Sequence, residues 1–284
     1  MSELIRTKED LRGAMDQLSG SVALVMTMGA LHEGHLSLVR AAKEAADHVV
    51  VSVFVNPLQF GPDEDFDSYP RQLDADIALL DTVGVDLVFA PSESEMYPRE
   101  PLIRIDPGPM ATVYEGKTRP IHFAGVLQVV HKVLNLVRPD VAFFGQKDAQ
   151  QLALIRTMVA DLDMPVRIQA VPIKREESGL ALSSRNAYLS EDEYIEALAL
   201  NQALVLGKDA ARHGASPVEV RDRATAYLDK APGVKLDYLS VVDPETFEDL
   251  TEVGVPDHGR GLIITAAWVG STRLIDNREV RFDG

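Results

Sequence analysis

Val22-Ala23-Leu24-Val25-Met26-Thr27-Met28-Gly29-Ala30-Leu31-His32-Glu33-Gly34-His35-Leu36-Ser37-Leu38-Val39-Arg40 is the stretch whose reading decides the fold. Val22 to Met26 is a short, continuous apolar run, as expected of a strand buried on both faces of a parallel sheet. Gly29 breaks the run, and from Leu36 the pattern turns helical, with Leu36, Val39, Ala42 and Ala46 on one face. The stretch reads strand, tight turn, helix, with two imidazoles and a glycine at the turn. A helix N-terminus presents unpaired N–H groups and partial positive charge, which suits phosphate. Gly34 lacks the side chain that would hold a ligand off the backbone. A helical metal pair more usually has i, i+4 spacing and a third ligand nearby, so His32 and His35 read as anion-facing groups before metal ligands. Two unrelated surface histidines are the remaining alternative, and the flanking strand and Gly34 count against it.

Working outward, Val49–Val55, Val85–Ala90, Val141–Phe144 and Val166–Val171 are further strand-like runs. Helical faces alternate with them: Leu11, Met15 and Leu18 after a Thr7 cap, Leu73-Ile77-Leu80, the apolar run 126–137, and Leu152-Ile155-Val159. That alternation predicts a Rossmann-like, doubly wound α/β sheet. Residues 91–121 are a proline-rich connection with little regular structure. Within it Gly116-Lys117-Thr118 is not a phosphate loop, because Ala111 stands where the required glycine would be. After Ser190 the character changes to two helices, broken at Gly214-Ala215-Ser216-Pro217, and then three strands at 236–242, 262–269 and 272–280. No helix separates the last two, so they are expected to be antiparallel. A boundary is therefore expected near 186–190, with a sheet domain over 1–187 and a smaller C-terminal α+β domain over 188–284.

Composition excludes several functions. No apolar run approaches the ~20 residues that span a bilayer, and the N-terminus shows no basic region followed by an apolar core. Neither membrane insertion nor a signal peptide is expected. The chain has no cysteine, which rules out disulfides, thiolate catalysis and cysteine zinc sites and fits a reducing cytoplasm. Its formal net charge is −16 with no basic patch, so nucleic acid is not an expected partner. A chain this acidic must gather its positive groups locally to handle small anions.

Four groups fall at strand ends or in the loop after the fifth run, where open α/β sheets bind ligands. His32 and His35 are the first. Asn56 and Gln59 lie in the loop Asn56-Pro57-Leu58-Gln59-Phe60, either facing substrate or bonded to nearby backbone. Gly145-Gln146-Lys147-Asp148 opens a second helix after a strand and puts Lys147 and Gln151 on one face. Ser183-Ser184-Arg185 offers two hydroxyls and a forked cation to a phosphate chain, with a turn or cap as its alternative. Arg119 and His122 are further anion contacts or surface groups. The set suits a nucleoside triphosphate attacked at its α-phosphate, hence a nucleotide-dependent transferase or ligase. The absent Gly-x-Gly-x-x-Gly disfavours a dehydrogenase.

The motifs resemble those of a known family. Thr27-Met28-Gly29-Ala30-Leu31-His32-Glu33-Gly34-His35 carries the His-x-Gly-His signature of the nucleotidyltransferase superfamily that includes class I aminoacyl-tRNA synthetases. Together with Phe54–Phe60, Tyr69-Pro70-Arg71, Arg119–Val126, Phe143–Gln151 and Ser183–Asn186, it is similar to the pantothenate synthetases, or pantoate–β-alanine ligases. That resemblance covers about two-thirds of the chain, in the family's order and spacing.

It implies ATP-dependent ligation of pantoate and β-alanine to pantothenate through pantoyl adenylate, releasing AMP and pyrophosphate. Carried over by position, His35 and His32 are catalytic with Lys147 and Arg185. ATP is held by Met28 to His35, Gly145 to Asp148, Lys174, Leu182 and Ser183 to Arg185. Gln59, Gln151, Asn56, Phe60, Val129 and Val130 hold pantoate and β-alanine. The family also implies Mg2+ with the triphosphate, a homodimer, and a lid role for the C-terminal domain. Four positions depart from its pattern: Met26 for proline, Gln146 for glutamate, Lys174 for an aliphatic residue and Leu182 for methionine. None removes a group the chemistry needs. The rivals are a nucleotidyltransferase without an amine-accepting half-site and a non-catalytic nucleotide-binding module.

Overall fold

A computed structural model describes residues 1–62 and 64–282. It divides into two compact units, one of residues 1–146 and 154–172, the other of 147–153 and 173–284. The division before residue 173 lies upstream of the change in sequence character near 186–190.

The first unit contains strands β1 (Glu3–Ile5), β2 (Val22–Thr27), β3 (His48–Val53), β4 (Leu87–Phe89), β5 (Val141–Gly145) and β6 (Arg167–Val171). They form one sheet in the order β1-β4-β3-β2-β5-β6, parallel throughout. Its longer helices are α1 (Lys8–Met15), α2 (Glu33–Ala45), α3 (Leu73–Thr82) and α4 (His122–Val137), with α5 (Ala149–Asp161) beginning among the residues of the second unit. The connectivity turns one way from β2 through β3 to β4 and the other way through β5 to β6, so the switch point lies between β2 and β5. The doubly wound α/β sheet read from the sequence is the one found.

Period-2 geometry explains why the inner strands read as unbroken apolar runs. Ala23, Val25, Val49, Val51, Val141 and Phe143 join Leu36, Val39 and Ala42 of α2 in one buried cluster. Leu24, Val50 and Ala142, one residue out of step, are also fully buried, so both faces are covered. β1 had no reading in the sequence. It is three residues long and buries only Ile5, too little for any periodicity. Thr7 caps α1 by accepting from the Asp10 N–H, but that helix ends at Met15, short of Leu18.

The second unit pairs β7 (Val234–Val242), β8 (Arg260–Val269) and β9 (Thr272–Arg281) in antiparallel order. Two helices, α6 (Glu191–Arg212) and α7 (Pro217–Leu228), pack on it through Ala203, Leu204, Val220, Ala224, Val241 and Ile263. Ser216 accepts from Glu219 N–H ahead of Pro217, the expected cap and first residue of α7. Among the described residues no helix is long and apolar enough to cross a membrane.

Candidate active site

The turn after β2 is built on backbone that departs from ordinary strand or helix geometry. Gly29 has φ +85° and Ala30 φ +50°, both in the left-handed region. A Cβ on Gly29 would lie 3.0 Å from Asp76 Oδ2, so glycine meets both the conformation and the space. Asp76 of α3 holds the turn from inside. Its Oδ1 accepts from Leu31 N–H at 2.8 Å and its Oδ2 from Ala30 N–H at 3.1 Å. It is 1% exposed, and burial pushes its carboxyl above the ordinary value despite those two donors. Asp76 was not singled out from the sequence. The available signal was a carboxylate three residues after Leu73, on the buried stripe of α3.

α2 begins at Glu33, a turn earlier than its apolar pattern, because His32 and His35 cap it. His32 Nδ1 accepts from Gly34 N–H at 3.1 Å, and His35 Nδ1 accepts from His32 N–H at 3.3 Å. This is a capping box made of two imidazoles in place of Ser and Glu. With Nδ1 accepting, each neutral ring carries its proton on Nε2. The ring centroids lie 4.2 Å apart, so two imidazoles stand side by side at the helix N-terminus, each with Nε2 as its donor.

At the end of β3, Asn56 is 1% exposed and fully engaged. Its Nδ2 donates to Gly125 O at 3.0 Å and to Gln59 Oε1 at 3.1 Å, while its Oδ1 accepts from Leu58 N–H and Tyr97 O–H. Both ends of the Asn56 amide are thus bonded to backbone. Gln59 Nε2 points to Met28 Sδ at 3.1 Å, which joins this loop to the β2 turn. The Gln59 carbonyl accepts from His122 Nδ1 at 3.0 Å, and Arg119, beside His122, binds Glu64 through Nε and Nη2. Burial pushes the Glu64 carboxyl up, but its hydrogen bonds and charge pairing with Arg119 hold it below the ordinary value. Arg119 and His122 are therefore braces of the Gln59 backbone. Phe60 is buried edge-on to Phe66 and Tyr69, and Val129 and Val130 are buried on α4.

The remaining predicted residues follow β5 and β6. Gly145 pairs with Val171, and Gln146 N–H donates to Val171 O at 2.9 Å, carrying the β5–β6 pairing one residue further. In the second unit, Lys147 is half-buried, and its carbonyl accepts from Asn277 Nδ2 of β9 at 2.9 Å. Asp148 is exposed and Gln151 half-buried in the first turns of α5. Arg175 binds Asp276 through both terminal nitrogens, at 2.7 and 2.8 Å, fastening the loop 173–186 to β9. Lys174 is exposed, and its carbonyl accepts from Leu182 N–H. Ser183 caps a short 3-10 turn, Ser184–Tyr188, by accepting from Arg185 N–H at 3.3 Å, and Arg185 is half-buried. The first unit thus gathers Met28, His32, His35, Asn56 and Gln59, and the second carries Lys147, Asp148, Gln151, Lys174 and Leu182 to Arg185.

A doubly wound parallel sheet with paired imidazole donors at the helix after its central strand defines a nucleotide-dependent transferase or ligase. The family model for pantoate–β-alanine ligase matches residues 3–279. A pantothenate synthetase of Acidothermus cellulolyticus is 54% identical over 97% of this chain and 91% of its own length. The crystal structure of pantothenate synthetase from Thermus thermophilus superposes with TM-score 0.92 at 45% identity, over 98% of this chain and 99% of that one. The pantoate–β-alanine ligase of Francisella tularensis, complexed with beta-gamma ATP and β-alanine, superposes with TM-score 0.81 at 34% identity over 98% and 97% of the two chains. The chain belongs to the pantoate–β-alanine ligase family and is an enzyme of that class.

Proposed function

We propose that the enzyme makes pantothenate in two half-reactions. A pantoate carboxylate oxygen attacks the α-phosphorus of ATP, the bond to the bridging oxygen breaks, and pyrophosphate leaves. The β-alanine amine then attacks the acyl carbon of pantoyl adenylate, loses a proton, and AMP departs. The observation that carries this reading is the pair of Nδ1-anchored imidazoles at the N-terminus of α2. Their Nε2–H groups would donate to phosphate oxygens as charge passes to the departing pyrophosphate.

In this reading Lys147, Ser183, Ser184 and Arg185 grip the triphosphate, and Asp148 accepts from the ribose hydroxyls. Backbone from Met28 to Gly34 and from Gly145 to Gln146, with Lys174 and Leu182, lines the remainder of the nucleotide site. Gln59 and Gln151 bind pantoate, with Asn56 holding Gln59. Phe60, Val129 and Val130 pack on its dimethyl group. Among the described residues no cluster of three or more His, Asp or Glu side chains fits a protein-held metal ion. Magnesium would accompany the triphosphate, whose charge needs neutralising. A homodimer and a lid role for residues 188–284 complete the reading on the family resemblance, and a cytoplasmic location fits the cysteine-free sequence.

The test is pyrophosphate–ATP exchange with pantoate present and β-alanine absent. Exchange that depends on pantoate is expected, and establishes the adenylate half-reaction. A folded, ATP-binding enzyme without exchange would sink the two-step scheme.

A further inference from the structure

The amide of Asn56 lies between two backbone groups that fix which end is which. Gly125 O, 3.0 Å away, requires a donor, so Nδ2 faces it. Leu58 N–H, 3.4 Å away, requires an acceptor, so Oδ1 faces that. These assignments propagate. On the Oδ1 side, Tyr97 at 3.0 Å must donate its phenol proton. On the Nδ2 side, Gln59 at 3.1 Å must present Oε1. Asn56 then has both hydrogens and both lone pairs occupied. Gln59 thereby turns Nε2 away from Asn56, one hydrogen directed at Met28 Sδ and the other available to a ligand.

Tyr97 can perform its part because it is held and neutral. Its ring lies 6.1 Å from that of Phe54, and Lys132 Nζ sits 5.2 Å from its centroid. Burial pushes its phenol well above the ordinary value, so it remains an O–H donor at any working pH. The sequence separation between Tyr97 and Asn56 is 41 residues. The contact is therefore tertiary and not a by-product of the loop that carries Gln59.

We infer that Tyr97, by its bond to Asn56, steadies the amide that orients Gln59 and is thereby a positioning residue for recognition of the acid substrate. Gln59 then turns an Nε2 hydrogen toward an oxygen that accepts, a carboxylate or a hydroxyl lone pair. The inference rests on the reading of Gln59 as a pantoate contact. Removing the phenol oxygen frees the Asn56 carbonyl, lets the amide chain relax, and weakens the acid without touching the nucleotide.

The experiment is steady-state kinetics on the full-length enzyme with Tyr97→Phe, Gln59→Ala and the double variant. Tyr97→Phe should raise the KM for pantoate about fivefold. The KM for ATP and kcat should stay within about twofold of the parent. On the Gln59→Ala background the same change should add nothing, because the group through which it acts is gone. An unchanged pantoate KM in Tyr97→Phe overturns the inference, as does a full rise that persists on the Gln59→Ala background. A lower Tm with unaltered KM makes Tyr97 purely structural and overturns it as well. If Gln59→Ala itself leaves the pantoate KM unchanged, the pantoate reading of Gln59 fails first, and the inference goes with it.

Discussion

The carboxylate of Asp76 receives the Leu31 N–H at 2.8 Å and the Ala30 N–H at 3.1 Å, from a position 1% exposed to solvent. One buried side chain thus holds two consecutive backbone groups of the turn between β2 and α2, where Ala30 is forced to φ +50°. A left-handed alanine is unfavourable on its own, and it persists only where its surroundings over-determine it. Asp76 supplies that determination.

Asp76→Ala should therefore leave two buried N–H groups without acceptors and release the turn. A loss of about 2–4 kcal/mol of stability is expected, with a rise in KM for ATP larger than that for pantoate. Asp76→Asn keeps one accepting oxygen and should lose less on both counts. Urea unfolding and steady-state kinetics on the two variants check this, and an Ala variant as stable as the parent would contradict it.

How much of this was legible follows from where each interaction originates. The runs 22–26, 49–55 and 141–144 were readable because a doubly covered strand is apolar at nearly every position. Periodicity places the start of α2 at Leu36, too late, because Glu33 to His35 face away from the core and periodicity reports only burial. The histidines and Gln59 were legible as residue types at strand ends. Their orientation was not, since it depends on Asn56, Tyr97 and Asp76 across 40 or more positions of chain in two of three contacts. Asp76 pairs with backbone N–H groups, which have no sequence signature.

His35 has two tasks that substitution can separate. Its Nδ1 completes the cap of α2, and its Nε2–H is the group proposed to meet phosphate. His35→Ala removes both, and His35→Gln supplies the usual capping-box acceptor but no imidazole. Both should lose at least about tenfold in kcat, the scale of a lost charge-stabilising donor. Only the alanine variant should also lose stability, by about 1 kcal/mol. Equal turnover in parent and Gln variant would remove His35 from the chemistry.

Lys147 is tied to β9 through its carbonyl, which leaves its side chain free of that duty. Lys147→Ala should fold normally and lose at least about tenfold in turnover, as expected for a cation on transferring phosphates. Circular dichroism and initial rates suffice. A variant with parental rates would move the phosphate site elsewhere.

The Glu64–Arg119 pair predicts a pH dependence of known sign. The folded Glu64 carboxyl is held below its ordinary value of about 4.5, so the unfolded chain takes up the proton first as pH falls. Its contribution to stability is fully present above about 4.5 and is lost as pH drops through the lower, folded value. Glu64→Gln should therefore narrow the gap in Tm between pH 7 and the acid range, and should loosen the brace on the Gln59 carbonyl that Arg119 and His122 provide. Thermal melts across that range decide it, and a variant whose Tm falls as steeply with acid as the parent's would assign the acid sensitivity to other groups.

Gly125 is where α4 meets the 3-10 turn Pro57–Gln59, and contact there leaves no room for a side chain. A Cβ would lie 2.1 Å from Leu58 O and 2.6 Å from Gln59 N, both backbone atoms that cannot rotate aside. The same glycine offers its carbonyl to Asn56 Nδ2. Gly125→Ala therefore pushes the helix and the turn apart at the point that orients Gln59. Overpacking of this kind costs about 1–3 kcal/mol or more when rigid backbone must move. A lowered Tm with a pantoate KM raised more than that for ATP is the expected outcome. Gly145→Ala is the control, since no atom lies within 4 Å of a Cβ built there, and its Tm should stay near the parent's. Equal losses of Tm in the two variants would mean that general glycine effects, and not the close approach at Leu58, govern this position.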